Sequence, residues 1–180
     1  MSKFIFRNSD SIFWDTVMKS TTITLPKSIV EELYKRAREM DMSIEEFLAE
    51  IVTRNLDPIN RGRKYIEASI ELLKQAEKEL KDGNLKQASE KIWGACALAV
   101  KAHAYVKTGK RITSHGELWE YKNKIAEELG DWVLDVWAHA SSMHINFYEE
   151  WATPRDIEKA LKAVEKLVKA IIKEIHNLSK

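Results

Sequence analysis

Cysteine is almost missing from this 180-residue chain, and the single Cys96 excludes an internal disulfide framework and any all-cysteine metal site. It sits in GACALA, where it reads as a small buried filler rather than a nucleophile. No apolar run is long enough to span a bilayer, so no membrane partner is expected. The first residues, MSKFIFRNSDSIFW, have acidic and polar breaks where a signal peptide needs an unbroken apolar stretch, and the expected compartment is the cytoplasm. Neither sign of charge prevails: 29 Lys and Arg against 28 Asp and Glu leave +1, with no global push towards nucleic acid, membrane or acidic partners. Glutamine is confined to Gln75 and Gln87 while Glu and Lys abound, a bias towards a heat-adapted source. There is no Walker loop, no dinucleotide fingerprint and no GxSxG elbow. Nothing supports a metal site, and no cofactor is expected.

What the chain does have is helical periodicity. Its 44% hydrophobic and 32% charged residues suit one globular domain with a small appendage. Residues 1–20 form an N-terminal extension whose clusters, Phe4-Ile5-Phe6 and Ile12-Phe13-Trp14, are suited to packing on the domain or on a partner. Over residues 21–56, the alternation of Ile23 and Leu25 with Thr22 and Thr24 predicts a strand ended by Pro26. Two helices follow: one through Ile29, Leu33, Ala37 and Met40, and one capped by Ser43 and Glu46 with Ile44, Phe47, Leu48, Ile51 and Val52. A lone strand needs a partner edge, so this segment is expected to dimerise. From 57 to 180 the pattern predicts an antiparallel bundle of about five helices, with stops and starts at Asp57-Pro58, Asp82-Gly83-Asn84, Ser114, Gly130-Asp131 and Pro154. Gly94 and the alanines of the second bundle helix imply close approach of its neighbours.

The fourth of these helices, within Asp131–Trp151, is the place to look for chemistry. It carries Val133, Val136, Ala140, Met143 and Phe147 on one stripe and places His144 on a flank with Trp137, Ser141 and Tyr148. Those side chains, with Asn146 and Glu149, are candidate walls of a ligand groove, the aromatic rings suited to stacking on a base. His144 and His139 are candidate acid/base residues. Five residues apart on a helix, their rings diverge by about 140°, so they cannot share a metal. Candidate phosphate contacts are Lys110 and Arg111 in the loop KTGKRITS, with Lys107 and His115 near them, and Lys162, Lys166 and Lys169 in a lysine stripe of the last helix. The same stripe, interleaved with Glu158, Glu165 and Glu174, also fits a solvated face.

Two resemblances bear on these readings. The segment TITLPKSIVEELYKRAREMDMSIEEFL resembles the ribbon-helix-helix fold, whose paired strands read DNA. Residues 21–56, however, hold more acid than base, and the second helix opens on Glu45 and Glu46 where a phosphate wants bare N–H groups, so DNA is not the expected partner. The stretches LKDGNLKQASEKIWGACALAVKA, SHGELWEY and MHINFYEEW, over residues 57–172, resemble the archaeal PaREP family. The likeness implies a HEPN-like fold, a four-helix bundle with an accessory helix, usually dimeric. Many HEPN proteins are metal-independent RNases with an Arg followed after about four to six residues by a His, the Arg steadying phosphate charge and the His moving the 2′-hydroxyl proton. With His144 in the second role, the candidate Arg positions hold Trp137, Ala138 and His139. The expectation is a homodimer that binds a nucleotide or RNA near His144 without turning it over. Alternatives are an RNA endonuclease with His144 as base and His139 as its partner, or a DNA-binding regulator with a helical sensor.

Overall fold

The computed structural model describes residues 22–40 and 42–178, which form seven α-helices and, among the described residues, no strand. The expected extension at 1–20 lies outside them. Helix α1 spans Lys27–Glu39, α2 Ile44–Val52, α3 Pro58–Lys81, α4 Leu85–Thr108, α5 His115–Leu129, α6 Trp132–Glu149 and α7 Pro154–Leu178. No helix among the described residues is long and apolar enough to cross a membrane.

The predicted strand is not there: residues 22–26 are irregular, and Ile23 is 76% exposed. Alternation prepares a segment for a sheet, but a strand exists only when its N–H and C=O groups find a second edge, and no other described segment supplies one. The helix starts were better read. Ser43 Oγ accepts from Glu46 N at 3.1 Å, Asp57 caps through Ile59 and Asn60, and Ser114 Oγ accepts from Glu117 N at 3.2 Å. Two expected caps fail: neither Asn84 nor Asp131 makes a side-chain cap bond. Asn84 Nδ2 donates to Glu79, and at the α5–α6 corner Trp132 Nε1 donates to Leu129 O at 2.6 Å.

The hub of the bundle is α4 rather than α6. Every residue from Ile92 to Tyr105 is buried, and α4 packs on α2, α3, α5, α6 and α7. Its alanines and Gly94 admit neighbours from all sides; a Cβ on Gly94 would meet Leu72 Cδ1 at 3.2 Å and the Ser43 hydroxyl at 3.4 Å.

One connection departs from the antiparallel expectation. Residue pairs along α4 and α5 rise together, Trp93 with His115, His103 with Tyr121 and Lys107 with Glu128, so these two helices run parallel. The loop 109–114 makes this possible. It leaves α4 at Gly109, whose φ of +65° suits a residue without a Cβ, and returns along α4 as a strap pinned by the buried Ile112. Helices α3, α4, α6 and α7 thus form a four-helix core, with α5 laid against α4 and α6.

Helices α1 and α2 form a separate unit around Ala37, Met42 and Phe47. Helix α2 docks with its polarity reversed. Ser43, Glu46, Phe47, Glu50 and Thr53 face inward and are buried, whereas the apolar Leu48, Ile51 and Val52 are exposed.

Candidate functional site

The strap 109–114 ends at the Ser114 cap, which makes His115 the first residue of α5 and sets its ring on the face of Trp93, centroids 5.0 Å apart and planes within 23°. From α6, His144 reaches the same place, 4.9 Å from the Trp93 ring and 5.3 Å from that of His115. Tyr148, one turn further on, meets His144 edge-on at 5.6 Å. Beneath them Trp137 packs edge-on against Trp93 and Trp119, each at 5.4 Å. The rings form a stair from the buried Trp93 and Trp137 through two partly buried imidazoles to Tyr148, which is 63% exposed.

Polar atoms accompany the rings. The indole N–H groups of Trp93 and Trp137 and the Ser141 hydroxyl are buried and have no hydrogen-bond partner among the described residues. Such groups are uncommon in a packed interior.

On α4, Glu90 lies one turn before Trp93 and one turn after Lys86, whose ammonium sits 5.4 Å from the Phe147 ring. Burial, with the neighbouring Glu45 carboxylate, pushes the Glu90 carboxyl up from 4.5 to about 7, against the pull of Lys91 and Lys86. The folded chain therefore keeps a proton that the unfolded chain releases, so this contribution to stability is fully present below pH 4.5 and is lost as pH rises through 7. Glu90→Gln is expected to leave stability at pH 4 unchanged and to raise the melting temperature by about 2–5 °C at pH 8. Thermal unfolding followed by circular dichroism at the two pH values checks this.

Of the residues expected at the site, the fold gathers His144, Tyr148 and Ser141. Trp137 belongs to it only as a buried floor, not as a groove wall. Asn146 is fully buried and bonded, its Nδ2 donating to Ser89 Oγ at 2.8 Å and its Oδ1 accepting from Ala152 N at 2.6 Å. It fastens the end of α6 to α4 and to the turn before α7. Glu149 is exposed at the end of α6. His139 is exposed on another face, so the imidazole that joins His144 is His115.

The basic candidates lie elsewhere. Arg111 bonds to Glu50, and Lys110 is 3.7 Å from Glu117. Lys162 and Lys169 pair with Glu158 and Glu165 one turn before them, and Lys166 lies over the Trp132 ring at 4.1 Å. The stripe on α7 is an ion-paired face. Sequence reasoning missed Trp93 and the pairing of His115 with His144. The signal was present in SHGELWEY, but only the backward course of the strap gives it meaning. Among the described residues no group of histidine, cysteine and carboxylate side chains is arranged to hold a metal ion.

The chain was compared with known proteins. The model of the archaeal PaREP1/PaREP8 family matches residues 64–174, from the first turns of α3 into α7. No curated protein and no solved structure matches the chain.

Proposed function

The chain belongs to the archaeal PaREP1/PaREP8 family, and from that membership and the site we propose that it is a HEPN-like homodimer that binds a nucleotide or RNA beside His144 without turning it over. The observation that carries the reading is the ring stair from Trp93 through His115 and His144 to Tyr148. Imidazole and phenol faces at a surface accept a base by stacking. The four-helix core with one helix outside it is the arrangement that the HEPN likeness implies.

A second reading has its own observation. Two partly buried imidazoles 5.3 Å apart could share acid and base roles in metal-independent RNA cleavage. Against it stands the absence of a phosphate-clamping arginine at positions 137–139, and Arg111 already bonds to Glu50. Incubating single-stranded RNA with the protein in EDTA separates the readings. Intact RNA and retained binding are expected, with affinity reduced about 10-fold or more in His144→Ala. Cutting that disappears in both His144→Ala and His115→Ala would make the protein a nuclease.

The dimer is assigned to the outer face of α1 and α2. Leu48, Ile51 and Val52 are exposed there on α2, and Ile23, Leu25, Ile29, Tyr34, Leu56 and Ile59 are further exposed apolar side chains of this part of the chain. A second copy would also offer residues 22–25 the edge that no other described segment supplies. Val52, 74% exposed, contributes nothing to the protomer core, so Val52→Glu should convert dimer to monomer without loss of helicity. Light scattering on a sizing column reads the outcome, and an unchanged dimer would place the interface elsewhere.

A further inference from the structure

A second set of polar groups lies at the junction of α2 with the bundle, where the ring stair does not use it. The Glu50 carboxylate accepts from Arg61 Nη2 at 2.9 Å, from the Tyr65 hydroxyl and from Arg111 Nε on the strap. Arg61 also donates to Glu50 O and to Thr53 Oγ1, both at 3.1 Å, and its guanidinium lies 4.8 Å from the Tyr105 ring. Next to them, Lys101 Nζ is 2.6 Å from Glu46 Oε1, a charge contact that is off the hydrogen-bond direction. Burial works to raise the Glu50 carboxyl, but Tyr65, Lys101, Arg111 and Arg61 together hold it below its ordinary value.

Three features make this more than a structural ion pair. Three cations, Arg61, Lys101 and Arg111, face two carboxylates, which leaves one positive charge uncompensated. The Tyr105 hydroxyl is buried beside Arg61 with no hydrogen-bond partner among the described residues. Finally, every cation sits on the bundle or its strap and every carboxylate on α2, whose apolar contribution to the bundle core is Ala49. The α1–α2 unit keeps its own core in Ala37, Met42 and Phe47, and α2 meets the bundle mainly through these polar groups.

We infer that Arg61, Lys101 and Arg111, with the Tyr65 and Tyr105 hydroxyls, form a phosphate-binding cradle that α2 occupies in cis, the Glu50 carboxylate standing where phosphate oxygens would bind. Two guanidinium groups and the Tyr65 hydroxyl converging on the Glu50 oxygens, with the Lys101 ammonium on Glu46 beside them, are donors of the kind that a phosphate diester or a terminal phosphate requires. The cradle also lies within reach of the ring stair. Lys101 is eight residues beyond Trp93 on α4, about 12 Å along the axis, and Arg111 is on the strap that leads to His115. The inference stands apart from the stacking proposal, because the cradle could take phosphate even if no base stacks on His144.

The test uses the full-length chain with Glu46→Gln and Glu50→Gln together, titrated with inorganic pyrophosphate and separately with decauridylate, each against sodium chloride of equal ionic strength. The freed cradle is expected to bind at least one of these anions about 10-fold more tightly than the parent chain does, and adding Arg111→Ala should remove the gain. A gain for pyrophosphate points to a terminal phosphate, whereas a gain for decauridylate alone points to the RNA backbone. A folded double variant that gains affinity for neither overturns the inference. If the double variant does not fold, hydrogen exchange of the parent chain decides. Pyrophosphate should speed exchange at the α2 amides beyond what chloride does, and equal or slower exchange overturns the proposal.

Discussion

Lys101→Met is expected to lower the unfolding free energy by about 3–5 kcal/mol, because it strands a buried carboxylate. Lys101 and Glu46 are each only 1% exposed, with the ammonium 2.6 Å from the carboxylate. Neither charge can turn to water, and the Met42 sulfur, 3.9 Å from Lys101 Nζ, is a weak acceptor. The loss comes from the unpaired partner rather than from the worth of the pair. Adding Glu46→Leu to Lys101→Met should therefore restore most of the stability, since two apolar side chains of similar volume fill the site without a charge. Urea unfolding of the parent, both single variants and the double variant closes the cycle. A Lys101→Met loss below about 1 kcal/mol would mean that water reaches the pair in solution.

Asn146→Ala should have the next largest effect, about 2–4 kcal/mol, from a small cavity and from polar groups left without partners. Asn146 joins three segments: it donates to Ser89 on α4, stands one turn before the left-handed Glu150 at the end of α6, and accepts from Ala152 N in the turn to α7. Ser89 keeps its bond to Leu85 O at 2.9 Å, so the Ala152 N–H bears most of the loss. The same urea experiment measures it, and amide exchange at Ala152 should rise with it. Asn146→Asp would keep the acceptor but bury a charge, and should not rescue stability. Because Tyr148 sits on the same turn, the alanine variant should also loosen the outer step of the ring stair.

The helices were legible in the sequence because their ends are written locally. Ser43, Asp57 and Ser114 act over two or three residues, and the bonds they make are the ones their spacing implies. Features set by a distant segment were not legible. The alternation at Thr22–Leu25 prepares a strand, but among the described residues no segment offers it an edge. The apolar residues of α2 are equally plain, yet Leu48, Ile51 and Val52 turn outward because Arg61 and Lys101 draw Glu50 and Glu46 inward. Periodicity says which residues share a face and not which neighbour receives that face. KTGKRITS reads as a basic loop, but Ile112 anchors it along α4, and its course delivers His115 to Trp93. For the same reason His144 was found and its companion was not. His139 is exposed on another face of α6.

The central claim, that a base stacks on the imidazole and phenol rings beside Trp93, is tested most directly by tryptophan fluorescence during titration with adenosine monophosphate and with single-stranded RNA in EDTA. Saturable quenching is predicted for at least one of the two, weakened about 10-fold or more in His144→Ala and in Tyr148→Ala, with the RNA recovered intact. Absence of saturable quenching by either ligand, or quenching unchanged in both variants, would contradict the account.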